Sequence, residues 1–195
     1  MRLDERRMKI LTTLSNLEIM TRSQIQTLHQ TKSTRNTNFI MQSLKDYTNS
    51  IRLQENAYYL NKKGATLVGA KKQFRVNNQV QHKLMRNDAY IYFKPTGWKS
   101  EREFLKPVAI TPDAYFYSGS TYKFLEVDNV QKWYTNVKKM EKYKAFKESG
   151  VFQKQLGYFP TIVWVVRFEV RKEKLKSLAK EMNLFCEIYL HEEIV

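Results

Sequence analysis

Apolar residues recur along this chain in two rhythms, one before residue 70 and another after residue 110. In the first stretch Met8, Leu11 and Leu14, with Ile10 and Leu17, repeat at helical spacing and predict a helix ending near Asn16. Thr21 followed three residues later by Gln24 has the form of a capping box, and Ile25 and Leu28 then lie one turn apart. A polar turn over residues 30–33 leads to a third helix from about Thr34. Its Phe39, Ile40 and Leu44 are expected to face inward, leaving Arg35, Asn36, Asn38, Gln42 and Lys45 outside. Residues 50–54 and 57–61 flank Glu55 and Asn56 as two short strands, and residues 62–69 begin a closing helix. Three helices followed by a hairpin are the layout of a winged helix-turn-helix. The alternative is a small helical bundle whose polar face is merely solvated.

Residues 71–79 are polar and weakly patterned, so the domains are expected to be 1–75 and 76–195. From Thr111 the rhythm becomes that of strands. Residues 111–117 and 122–128 flank a loop at Gly119 and Ser120, a register that sets Tyr117 opposite Tyr122 and Tyr115 opposite Phe124. Residues 130–147 read as a helix with Asn129 as its cap. Its stripe is Val130, Trp133, Tyr134, Val137, Met140 and Glu141 or Lys144. The apolar run 161–168 suits a strand buried on both faces, residues 171–182 a helix and 184–190 a last strand. The expected class is α+β: a winged helix-turn-helix followed by a mixed-sheet α/β domain.

Composition narrows the partners. Hydrophobic residues are 42% of the chain and aromatic residues 13%, which excludes a disordered polypeptide. Net charge is +15, of which +9 falls on residues 1–75, pointing to a polyanion and foremost to double-stranded DNA. A membrane surface would call for an amphipathic or lipidated anchor, and none is legible. The N-terminus lacks a signal-peptide core and the longest apolar run, 162–166, is too short to span a bilayer, so a cytoplasmic protein is expected. Cys186 is the sole cysteine and reads as a small buried hydrophobe, while His29 and His191 stand isolated and suggest no zinc site.

Side chains suited to phosphate oxygens and base edges cluster in the basic part. The candidates are Arg22, Ser33, Thr34, Arg35, Asn36, Asn38, Gln42 and Lys45 on the second and third helices, with Arg52, Lys62 and Lys63 near the wing. In the second part the strand register sets Asp113 opposite Glu126, at a Cβ separation of about 4.5–5.5 Å, with Asp128 on the same face as Glu126. Three converging carboxylates repel unless a cation joins them, and oxygen-rich sites of this kind suit Mg²⁺ or Mn²⁺. Solvated strand-end charges, or partners for lysines such as Lys123, are the other reading. A helix near His82 would set Arg86 one turn on, and Asn87 and Asp88 read as interdomain hydrogen bonding or a cap.

The segments Thr111-Pro112-Asp113-Ala114-Tyr115-Phe116, Phe124-Leu125-Glu126-Val127-Asp128 and residues 139–143, with residues 81–91 ahead of them, resemble the replication-relaxation family of plasmids and other mobile elements. The resemblance implies a C-terminal domain akin to the PD-(D/E)xK, or restriction-endonuclease-like, nucleases. Asp113 and Glu126 then match the metal-binding carboxylates. The sequence departs from the active pattern where Asp128 replaces the expected lysine, with Lys139 or Lys142 as the substitutes at hand. A nuclease-like scaffold kept for binding is equally natural.

Three functions follow as expectations. The first is sequence-specific DNA binding at a replication or transfer origin or a promoter. The second is a metal-dependent nickase or nuclease built on Asp113, Glu126, Asp128 and Lys139. The third is a docking module that recruits a relaxase or replication initiator. Winged-helix proteins often act as homodimers on two-fold sites, though the sequence marks no interface.

Overall fold

The computed structural model describes residues 3–106 and 108–195. The chain forms two compact units, 1–87 and 88–195, so the division falls beyond residue 75 and inside a helix.

In the first unit α1 (Glu5–Leu17) starts at Asp4, whose carboxylate accepts the Arg7 amide at 2.8 Å, and buries Ile10, Leu11, Leu14 and Leu17. The short strand β1 (Ile19–Thr21), which sequence patterning does not reveal, feeds α2 (Arg22–His29) through the Thr21–Gln24 capping box. The turn through Gln30 and Lys32 uses positive φ at both residues and leads to α3 (Thr34–Ser43), capped by Ser33. Strands β2 (Thr48–Arg52) and β3 (Asn56–Leu60) form a hairpin, and α4 (Lys62–Leu67) follows, capped by Asn61. The antiparallel sheet has the order β1-β3-β2.

The inward face of α3 differs from expectation. Thr37, Ile40, Met41 and Leu44 are buried, whereas Phe39 is 67% exposed. The cause is a hydroxyl pair: Thr37 and Thr31 share a hydrogen bond, and Thr37 also donates to the Ser33 carbonyl. With Thr37 inward, Phe39 stands about 200° further round the helix.

Helix α5 (Val80–Phe93) contains the division between units. Its first part belongs with residues 1–87: Arg86, 1% exposed, donates to the Leu17 carbonyl and pairs with Glu18, and Asn87 donates to the Leu17 and Ile19 carbonyls at 3.1 and 2.6 Å. These bonds satisfy the end of α1. Asp88, in the second unit, meets His191 at 2.7 Å.

The second unit is a five-stranded mixed sheet, β4 (Thr96–Ser100), β5 (Ala114–Ser118), β6 (Thr121–Asp128), β7 (Thr161–Val166) and β8 (Cys186–Leu190), in that order. The first three strands are antiparallel and β6-β7-β8 are parallel, joined by α6 (Trp133–Glu148), α7 (Val151–Leu156) and α8 (Glu169–Glu181). The β5–β6 register pairs Tyr115 with Phe124 and Tyr117 with Tyr122, as the two-residue turn dictates, and Gly119 takes φ +64° there. One sheet face packs Phe124, Ile162, Trp164 and Val166 against Met140, Tyr143 and Phe146 of α6 and Leu175 and Ala179 of α8. Phe116, on the other face, meets Phe93 and Trp98 at 5.5 and 5.2 Å between ring centres. Burial pushes the Cys186 thiol up to about 12, leaving it an inert, half-buried packing group.

Helix α6 is rotated and shortened relative to the sequence expectation. Val130 and Tyr134 are exposed, the stripe that packs is Asn136, Met140, Tyr143 and Phe146, and the N-cap is Lys132 rather than Asn129. A polar residue, Asn136, holds an inward position, so apolar periodicity points to the wrong face.

Candidate functional site

Two arrangements carry the candidate residues, one in each unit. In the first, Arg35, Asn38, Gln42 and Lys45 follow one another at intervals of three and four residues, a single exposed stripe along α3 and just past its end. Beside it the β2–β3 register sets Ser50 opposite Tyr58 and Arg52 opposite Asn56. Helix and hairpin enclose an open groove of about 260 Å³. Asn38, Gln42 and Lys45 line one side, and Asn49, Ser50, Asn56 and Tyr58 the other. Thr48 and Met41 complete the lining, so every lining side chain but Met41 bears a strong hydrogen-bonding group.

The remaining first-unit candidates brace this surface. Arg22 pairs with Glu55 at the hairpin turn at 2.7 Å and donates to the Thr34 hydroxyl at 2.8 Å, linking α2, α3 and the hairpin. Ser33 caps α3, and Asn36 donates to the Thr31 carbonyl at 2.8 Å. Arg52 donates to Asn56 at 3.2 Å, Lys62 is exposed, and Lys63 lies over the Tyr47 ring at 4.9 Å. Asn49, Ser50, Asn56 and Tyr58 were not singled out by sequence reasoning. The alternation of Ser50 with Arg52, and of Asn56 with Tyr58, was the signal that places Ser50, Asn56 and Tyr58 on one face; Asn49 alternates to the other.

In the second unit Asp113 precedes β5 and accepts the Val127 amide at 2.7 Å, which holds it beside β6. Glu126 is fully buried. One of its carboxylate oxygens accepts the Tyr143 hydroxyl at 2.7 Å and the other accepts the Lys139 ammonium, which lies 3.8 Å from Asp113. Burial drives the Glu126 pKa up to about 7; Lys139 opposes the rise and the Asp113 charge reinforces it. Burial works to lower the Lys139 pKa, but Glu126 and Asp113 outweigh it and hold the ammonium above its usual range. Tyr143 is raised well above 10 by burial and by Glu126.

Asp128 shares this sheet face but belongs to a different cluster. It accepts the Gln131 amide at 3.1 Å, Asn136 at 2.6 Å and Arg171 at 2.6 Å, and Arg171 also donates to the Gln131 carbonyl. The expected meeting of three carboxylates is thus divided in two, because α6 and α8 each supply a separate cation. Lys142 is exposed, and Lys123 pairs with Glu187 at 2.6 Å rather than with the strand-end acids. The carboxylate oxygens are already engaged, and among the described residues no three of His, Cys, Asp and Glu gather as metal ligands. As arranged, the donor set does not fit Mg²⁺ or Mn²⁺, and no metal-dependent step is derived from it.

The model of the replication-relaxation family matches residues 11–162, well over half of the chain. The chain belongs to the replication-relaxation family. Within the family match lie α3, the hairpin groove and all of Asp113, Glu126, Asp128 and Lys139, whereas Arg171 lies beyond it. Searches of curated proteins and of solved structures return no match. Among the described residues no helix is long and apolar enough to cross a membrane.

Proposed function

We propose that this replication-relaxation protein binds double-stranded DNA through its first unit, with α2 and α3 acting as a helix-turn-helix and the β2–β3 hairpin as its wing. The polar groove between the α3 stripe and the hairpin carries the proposal. An amide side chain such as Asn38 or Gln42 matches the donor and acceptor edge of adenine, and Arg35 matches guanine. Exposed Phe39 on the same helix suits a thymine methyl. Arg52, Lys62 and Lys63 supply phosphate contacts, whose counterion release makes affinity fall as salt rises. The family points to replication or transfer of a plasmid or other mobile element as the setting.

Selecting duplexes from a random pool with the full chain tests this. On the selected site Asn38→Ala and Gln42→Ala should each cost about 1–3 kcal/mol. Lys62→Ala should weaken all sequences alike. Equal losses on selected and random duplexes would sink base readout through α3.

For the second unit we infer a nuclease-like scaffold retained for binding. Supporting this are the order of α5, three antiparallel strands, α6 and a parallel strand, and a half-buried lysine where a metal-dependent site would hold its ion. One observation favours the enzyme reading instead: Lys139 reaches both Asp113 and Glu126 from the helix, as a substitute for the lysine that Asp128 displaces. Incubation of supercoiled plasmid with Mg²⁺ or Mn²⁺ separates the two. No cleavage is expected, and cleavage abolished by Glu126→Gln would establish a nuclease.

A further inference from the structure

A groove on the second unit is built unlike anything the duplex reading uses. It has a volume of about 590 Å³, within the range of ligand sites, and lies between β4–β5, the loop after β4, and α7. Its floor is aromatic: Phe104 meets Tyr115 at 5.2 Å and Phe152 at 5.9 Å, and Phe146 meets Phe152 at 5.1 Å. Tyr122 stacks on Tyr115 at 5.0 Å with the rings 4° from parallel. Around this floor stand Lys99, Arg102 and Lys106, with no carboxylate among the described residues of the lining. The Arg102 guanidinium lies over Phe104 and Tyr115 at 4.8 and 5.4 Å.

Tyr115, Phe146 and Phe152 are buried beneath this floor, and the partly exposed rings are Phe104, Tyr117 and Tyr122. Partly exposed aromatic rings under a cationic rim ask for a ligand that is itself flat on one side and anionic on the other. A nucleotide answers both demands. In duplex DNA the bases are already stacked on one another and their faces are closed to such a floor, whereas unpaired bases offer them. We propose that this groove binds single-stranded DNA, seating an unpaired base against the aromatic floor while Lys99, Arg102 and Lys106 meet the flanking phosphates. Different residues carry it from those that carry duplex binding, so either can fail without the other.

The test is fluorescence anisotropy with the full chain and an oligothymidylate of about eight nucleotides, within the ~4–16-nucleotide span of single-strand sites. An abasic oligomer of equal length keeps the phosphates and removes the bases. The oligothymidylate should bind at low salt, and the abasic oligomer at least tenfold more weakly. Lys99→Ala with Arg102→Ala, both at exposed positions, should weaken oligothymidylate binding tenfold or more and leave duplex affinity within twofold. Tryptophan fluorescence confirms that the variant is folded. Equal binding of the two oligomers, an unaffected variant, or a folded wild type that ignores the oligothymidylate would each overturn the proposal. Oligothymidylate binding without any duplex binding would uphold it and remove the duplex reading instead.

Discussion

Replacing Glu126 by glutamine keeps the shape of a fully buried side chain and removes its titration. Desolvation lifts its pKa from 4.5 to about 7 in the folded protein. An acid raised on folding holds its proton more tightly in the native state. The stability it contributes is therefore fully present below pH 4.5 and is lost as pH climbs through 7. At about 1.4 kcal/mol per pH unit the span from 4.5 to about 7 corresponds to about 3 kcal/mol. The stability of the wild type minus that of Glu126→Gln should thus fall by about 3 kcal/mol between about pH 4 and pH 8. The slope is the readout, because glutamine also leaves Lys139 facing Asp113 alone, which offsets both ends of the curve. Urea unfolding followed by tryptophan emission isolates the relevant unit, since Trp98, Trp133 and Trp164 are the only tryptophans and all lie in residues 88–195. A difference that stays flat with pH, or moves in favour of the wild type as pH rises, refutes the account of Glu126 as a desolvated acid.

Two further outcomes are expected. If Phe39 packs on a thymine methyl, replacing that thymine by deoxyuridine removes one buried methyl, about 0.8 kcal/mol or roughly fourfold in affinity. Phe39→Ala should be indifferent to the same change, and equal sensitivity of both proteins would refute the contact. Gly64→Ala sets helix propensity, which favours alanine by about 1 kcal/mol, against packing. A Cβ there would sit 2.1 Å from the Tyr47 carbonyl oxygen, which is backbone and cannot step aside, so packing should win by about 1–3 kcal/mol. A circular-dichroism melt showing the variant equal to or more stable than the wild type would reverse that judgement.

Local chemistry was readable where it is confined to neighbours. The Thr21–Gln24 box, the Gly119–Ser120 turn and the pairing of Tyr115 with Phe124 each depend on a few adjacent residues, and the sequence spacing places them correctly. Misreadings arose where a polar side chain occupies an inward position. Thr37 displaces Phe39 from the core of α3 through its bond to Thr31, and Asn136 turns α6 away from its apolar stripe. Strands β1 and β4 are too short or too irregular to show an alternation, β4 carrying a register shift between Thr96 and Lys99. The division was expected at residues 71–79 because they are polar and weakly patterned, whereas the compact units divide after Asn87; Arg86 and Asn87 are buried and donate to the Leu17 carbonyl, contacts that no local pattern signals. Asp113 and Glu126 were found as neighbours, but the cation between them comes from a helix whose rotation only the folded chain determines.

Helices that pack through oily side chains alone can roll by a fraction of a turn at little cost. α6 has no such freedom, because the directional bonds that Asn136 and Arg171 both donate to Asp128 act as a locating pin. Lys139 follows Asn136 by three residues and Tyr143 by seven, so the pin also aims the two groups that reach Glu126. Loosening it from α8, at Arg171, would leave every atom around Glu126 chemically intact and yet let the ammonium and the hydroxyl drift. Burial, Lys139, Asp113 and Tyr143 set the ionisation of Glu126, and Arg171 reaches it only through the placement of α6, so substitutions at Arg171 and Glu126 are expected to be non-additive.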